Sequence, residues 1–212
     1  MPHAALKIIR DEHNALSAML RSIRLLLAGH RRAGTLPDFG ILRAMLFYVD
    51  EFPERLHHPK ESKLLFPKLR ARSPEAAEVL DRLDRDHAGG ERAIRDLEHE
   101  LLGWEMMAGT SQGDSRRDRF EDSMSRYIDF YHDHMRLEET AVLPLAVRAL
   151  SAEDWDELNA AFLTNRDPLT GHVPDDAYRP LFKKILTTLP APLGVGRALE
   201  ALTEAGRYSS DD

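Results

Sequence analysis

Two stretches of the chain carry the same arrangement of side chains able to bind a cation. His57-His58-Pro59-Lys60-Glu61 leads into Leu64-Leu65-Phe66-Pro67, and His134-Met135-Arg136-Leu137-Glu138 leads into Ala141-Val142-Leu143-Pro144. In each, a histidine precedes a glutamate by four residues. On an α-helix that spacing leaves the two side chains about 40° apart around the axis and about 6 Å apart along it, so an imidazole and a carboxylate can reach one point. Two further histidines stand in related contexts, Arg10-Asp11-Glu12-His13 and Arg85-Asp86-His87. The chain has ten histidines and no cysteine. That excludes disulfides, thiolate nucleophiles, Fe–S clusters and sulfur-built zinc sites, and leaves nitrogen and oxygen as the only metal donors.

The elements that must position these residues are helices. Leu6, Ile9, Leu16, Leu20, Ile23 and Leu27 recur at three- and four-residue spacing and define a first helix over about 2–32. The turn 33–38, with Gly34 and Pro37, precedes a second helix reaching about Arg70, in which Pro53 and Pro59 predict a kink or local unwinding. Ser73 and Pro74 open a third helix that runs to about Met107, with Ser73 as its N-cap. A Gly-, Ser- and Thr-rich loop over 108–115 leads to a fourth helix from about Arg116 to Leu150. The expected fold is all-α, an antiparallel up-down four-helix bundle over residues 1–150. Residues 151–212 read as a helical extension packed on it. Ser151 caps a short helix ending near Phe162, a loop spans 165–176, and a short helix spans 178–189. Past Pro190, Pro192, Gly194 and Gly196 comes a last short helix with a frayed end.

The second helix aligns with the fourth and the first with the third, so the chain reads as two hairpins of similar design. His13 precedes the first turn by about as many residues as His57 follows it, and His87 and His134 are related in the same way across the second loop. All four histidines therefore fall in one layer. On a helical wheel His13 lies within the stripe of Leu6, Ile9, Leu16 and Leu20, and His87 within that of Leu80, Leu83 and Ile94. One core-facing histidine is most often a hydrogen-bonded structural residue. Four of them, converging with glutamates in an apolar core, carry a desolvation cost of several kcal/mol per charge unless a cation neutralises them. The set is too large for one tetrahedral zinc. Two metals bridged by Glu61 and Glu138 is the economical arrangement. Glu91 lies one turn beyond His87 and is a further candidate ligand or an acceptor for His87. His58, about 60° from Glu61 on the wheel, is expected at most to support the set from outside. His3, His30, His99, His132 and His172 are expected to be solvated, and Tyr127 to be core packing.

These residues resemble the hemerythrin-like HHE cation-binding domains. The resemblance rests on His13, on His57-His58-Pro59-Lys60-Glu61 with Leu65-Phe66-Pro67, on His87, and on His134 and Glu138 with Leu143-Pro144, and covers about residues 3–150. It implies two iron ions with an oxo or hydroxo bridge, manganese or zinc being substitutes, and one open coordination position. The ligands carried over would be His13, His57, Glu61, His87, His134 and Glu138. Glu91 stands where oxygen-carrying members have a fifth histidine, which argues against simple reversible oxygen carriage. The resemblance thus implies binding, sensing or reaction with dioxygen, peroxide or nitric oxide, with oxidase- or peroxidase-like chemistry as one extension. The alternative is a non-catalytic iron-storage or iron-sensing module. The lack of cysteine separates the chain from the iron–sulfur repair branch of the family.

Composition narrows the partners. Charged residues make up 31% and the formal net charge is −7, with acidic and basic residues interleaved and no basic stripe for a phosphate backbone. No apolar run approaches the ~20 residues that cross a bilayer, and the amino terminus has no signal-peptide core. The expected location is cytoplasmic and the expected partner a small diatomic or peroxide ligand. A homodimer is allowed, and neither nucleic acid nor membrane is expected.

Overall fold

The computed structural model describes residues 3–173, 176 and 178–188. Among them all regular structure is helical, without strands, and no helix is long and apolar enough to cross a membrane. The expected final short helix, frayed end and proline–glycine break lie outside the described residues.

The first run is one helix, α1 (Ala4–Ala33), stopped by Gly34 in the left-handed region at φ 63°, where a side chain would be strained. The second run begins at α2 (Phe39–Val49), N-capped by the Asp38 carboxylate accepting from the Ile41 amide. It continues through a π-helical segment Asp50–His57, a short α3 (His58–Lys60), a π turn Glu61–Leu65 and α4 (Phe66–Arg72). After a 3₁₀ turn, Pro74–Ala76, the third run is α5 (Ala77–Met107); the Ser73 side chain makes no cap bond. The fourth comprises α6 (Gly113–Leu137), which starts earlier than expected, a π turn Glu138–Val142 and α7 (Leu143–Ala149).

The prolines act by widening the helix rather than breaking it. Proline lacks the N–H that would reach the carbonyl four residues back, and an i→i+5 turn absorbs the freed carbonyl. Pro53 lies inside the first π segment, while Pro67 and Pro144 each follow a π turn by two residues. Both single π turns begin at a candidate ligand, Glu61 and Glu138.

Neighbouring runs pass each other in opposite directions. Arg31 pairs with Asp118 and Glu121, Arg24 with Asp129, and His13 with Glu138, so one number falls as the other rises. Arg43 with Glu105, Ser62 with His87 and Arg70 with Asp81 relate the second and third runs in the same way. The exposed pairs each contribute little. Burial holds the runs together, in two separate apolar clusters. One contains Leu16, Leu20, Ile23, Leu42, Val49, Ile94, Leu101, Phe120 and Ile128; the other contains Leu6, Ile9, Leu65, Phe66, Leu80, Leu83, Val142 and Leu143. In the first three runs the inward candidate ligands fall between the two, and in the fourth His134 stands beside Met135 at the edge of the first cluster, so they form a polar layer within the apolar interior.

Three elements after residue 150 complete the packing among the described residues. α8 (Ala152–Phe162) is capped by Ser151 through a reciprocal bond with Asp154 and lies against α1, burying Trp155, Leu158 and Phe162. A 3₁₀ turn, Pro168–Thr170, follows, and α9 (Arg179–Thr188) packs against α2.

Candidate metal centre

The polar layer contains two groups of donor atoms, in each of which the atoms lie within 4.8 Å of one another. One comprises His58, Glu61, His87 and His134; the other comprises His13, His57, Glu61 and Glu138. All are buried. The two glutamates join the groups. Glu61 places Oε1 3.2 Å from His57 Nε2 and Oε2 3.4 Å from His87 Nε2. Glu138 places Oε2 3.2 Å from His13 Nε2 and Oε1 3.4 Å from His134 Nε2. Each carboxylate thus offers one oxygen to each group.

The Nε2 atoms of these histidines converge and their Nδ1 atoms are anchored outside. His13 Nδ1 lies 2.9 Å from Glu139, His57 Nδ1 2.7 Å from Glu12, His58 Nδ1 3.0 Å from Glu54, and His87 Nδ1 2.8 Å from the Ser62 hydroxyl. His134 Nδ1 lies 3.6 Å from Asp86, a looser electrostatic contact. An acceptor on Nδ1 holds that proton and leaves the Nε2 lone pair directed inward, as a metal requires. The Glu54 carboxylate is itself braced by the Tyr127 hydroxyl at 3.0 Å and by the Tyr131 hydroxyl.

The inner atoms lack partners among the described residues. Both oxygens of Glu61, both of Glu138, and Nε2 of His13 and His57 are buried without a hydrogen bond. Unpaired buried polar atoms are rare and costly. Six of them facing one another match the coordination needs of cations held by imidazole and carboxylate.

The charge distribution agrees. Burial disfavours a proton on His13, but the carboxylates of Glu138 and Glu139 outweigh it and hold the imidazole up at about 9. Burial acts likewise on His57 and His134, where the neighbouring carboxylates again prevail and raise both. Burial pushes Glu61 up, but His57 and His87 outweigh it and hold the carboxyl well below its ordinary range. His58 is lowered well below the usual imidazole range, first by burial and then by the other histidines. Without a metal, protons on imidazole neutralise the glutamates; a cation takes their place.

The structure brings His13, His57, Glu61, His87, His134 and Glu138 together and leaves Glu91 out. Glu91 is exposed and ion-paired with Arg95, so the expectation that it joins the centre is corrected. The inward positions of α5 are Leu83, His87, Gly90 and Ile94, and Glu91, 100° beyond Gly90, has turned off that stripe. Gly90 gives its place to Tyr131. A β-carbon there would overlap the Tyr131 hydroxyl and come within 2.9 Å of Glu54 Oε1.

The fifth histidine comes instead from the second run. The π segments flanking α3 underwind the helix, successive residues turn through less than the usual ~100°, and His57 and His58 both face inward. A straight helical wheel misses this. It also misses the outer acceptors, although the sequence contains a signal for them: Glu12, Asp86 and Glu139 adjoin inward residues, and Glu54 precedes His58 by four. Tyr127 is buried, but as part of that acceptor network. His99, His132 and His172 are exposed, whereas His3 stacks on Trp155 at 3.9 Å and His30 bonds to Thr35.

A small cavity reaches the His13/His57 group, with room for about one water-sized molecule. Leu16, Phe52 and Met135 line one part of it, and Glu12, Asn165 and Asp167 another. Burial pushes the Asp167 carboxyl up to about 7, although it accepts a hydrogen bond from the Tyr48 hydroxyl at 2.7 Å.

No match was found among curated proteins or among solved structures. The family model described as the hemerythrin HHE cation binding domain matches residues 4–146, which include every residue of both donor groups. The chain therefore belongs to the hemerythrin HHE cation binding domain family.

Proposed function

We propose that the chain is a non-haem di-iron protein whose four helical runs form an antiparallel up-down bundle, and that it binds, senses or reacts with small oxidants at one open iron position. The observation that carries this reading is the placement of Glu61 and Glu138, each with one oxygen toward either donor group. Two separate zinc sites would not require that sharing. Manganese or zinc remain substitutes that the same donors accept.

Counting positions locates the opening. Two six-coordinate irons would offer twelve, of which five imidazoles would fill five, the two carboxylates four and a shared oxygen two. One is left. Three histidines, His58, His87 and His134, would hold one ion, and His13 and His57 the other, so the free position would belong to the second ion. The cavity is lined by both residues of that pair and by one, His58, of the other group. His58 would supply a fifth imidazole that Glu91 does not.

Bound here, iron would supply redox chemistry toward dioxygen, peroxide or nitric oxide. The chain's own part is to orient and seal. Glu12, Glu54, Glu139 and Ser62 fix the imidazoles, the glutamates hold the ions at one spacing, and the two apolar clusters exclude water above and below the layer. The test is to load the chain with iron, reduce it, and follow the optical spectrum on adding dioxygen, peroxide or nitric oxide in turn. A spectral change with at least one reagent supports the reading. Iron-loaded protein inert to all three would favour iron storage instead.

A further inference from the structure

We propose that Asn165 and Asp167, carried into the site by the segment that follows the family domain, determine which small ligand can occupy the position beside His13 and His57. The inference rests on the di-iron reading and adds to it the selectivity of the open position.

The family match ends at residue 146, and two of the polar residues that line the cavity, Asn165 and Asp167, lie beyond it. α8 is fastened to α1, where the Asn159 side chain accepts from the Ala5 amide at 2.9 Å, and at its end the Phe162 ring packs on His57, with centroids 5.8 Å apart. The chain then turns inward. Asn165 and Asp167 are each only 4% exposed, which is unusual for polar residues on a connecting segment and requires that their bonds be made inside.

Those bonds reach the metal ligands and the second run. Asn165 Nδ2 donates to Glu12 Oε2 at 3.0 Å, the oxygen that also lies 2.7 Å from His57 Nδ1. Asn165 Oδ1 accepts from the Lys60 ammonium, one residue before Glu61. Asp167 accepts from Tyr48 at 2.7 Å through Oδ2 and from the Leu169 amide at 2.8 Å through Oδ1. Both side chains face the cavity shared by His13 and His57. The wall is therefore held on each side by buried hydrogen bonds, and it cannot give way without breaking them.

Such a wall selects by size and by charge. Room for about one water-sized molecule admits a diatomic ligand more readily than a linear triatomic one. Glu12 carries a carboxylate, and Asp167 carries a second one above the pH of about 7 to which burial lifts it, so at alkaline pH an anion entering here meets like charge in a low-dielectric setting. Neutral diatomic molecules should enter, and azide should be held off.

The experiment uses the iron-loaded full chain with two probes, nitric oxide on the reduced form and azide on the oxidised form, each titrated optically at alkaline pH. Asn165→Ala opens the wall at Glu12. The double variant Tyr48→Phe with Asp167→Ala opens it at the other bond and leaves no buried hydroxyl unpaired. In at least one variant that retains the wild-type iron content and melting temperature, the azide dissociation constant should fall by at least about tenfold, while that for nitric oxide changes by less than about threefold. Equal azide affinity in wild type and both variants would overturn the proposal and leave the di-iron reading intact, as would a wild type that binds azide as tightly as nitric oxide. Wild-type protein that takes up no iron would instead remove the di-iron reading, and this proposal with it.

Discussion

His58 decides how many imidazoles face the polar layer, and it is the residue on which a straight-helix reading and the structure part most clearly. His13, His57, His87 and His134 are legible because each repeats a spacing that α-helical geometry makes inward. Glu61 and Glu138 follow because a carboxylate at i, i+4 from a histidine reaches the same point. His58 and Glu91 exchange roles because the π segments rotate one inward and the regular helix of α5 rotates the other out. His58→Ala should therefore reduce retention of the ion held with His87 and His134, whereas Glu91→Ala should leave metal content unchanged. Metal analysis after dialysis against a weak chelator reads both. Equal losses in the two variants would contradict the assignment. Asn165 and Asp167 were not legible at all, because a connecting segment has no periodicity from which to tell an inward side chain from an outward one.

At the scale of the element, helix positions could be read from apolar spacing and from Gly34, Ser151 and the prolines, but not the form that the prolines impose. Pro53, Pro67 and Pro144 predict a disturbance without saying whether it kinks or widens the helix. Only packing on both sides of the polar layer selects the second outcome. The adjacent glycines of α5 show how far local context decides. A β-carbon at Gly90 would strike the buried Tyr131, while one at Gly89 meets nothing within 4 Å. Gly90→Ala should destabilise the protein by about 1–3 kcal/mol through overpacking, with disturbance at Glu54 and His58. Gly89→Ala should be neutral or stabilising by about 0.5–1 kcal/mol, because alanine loses less entropy on entering a helix. Denaturant melts of the two variants check this; the same sign for both would mean that the close approach at Gly90 is unimportant.

At the scale of the molecule, a polar layer between two apolar clusters couples metal binding to stability. Free metal at a hundredfold over its dissociation constant adds about 2.7 kcal/mol, so chelation should lower the melting temperature. The metal-free form should also depend on pH in a defined direction. His13 is raised from 6.5 to about 9 and Asp167 from 3.8 to about 7. A group that binds its proton more tightly when folded stabilises the fold below its unfolded value and loses that contribution as pH rises through the folded one. Between pH 6.5 and 9 the chelated protein should therefore lose stability, by up to about 3 kcal/mol from His13 alone. The loaded protein should lose less, since a metal on Nε2 replaces the proton. Melting temperatures of both forms across that range decide it, and a rise for the chelated form would contradict the charge assignment. The central claim, that one pair of glutamates holds two ions, is tested most directly by iron content per chain in wild type, Glu61→Ala and Glu138→Ala. The proposed centre predicts two ions in the wild type and loss of both together in either variant. Two ions retained in both variants, or a single ion in the wild type, would contradict it.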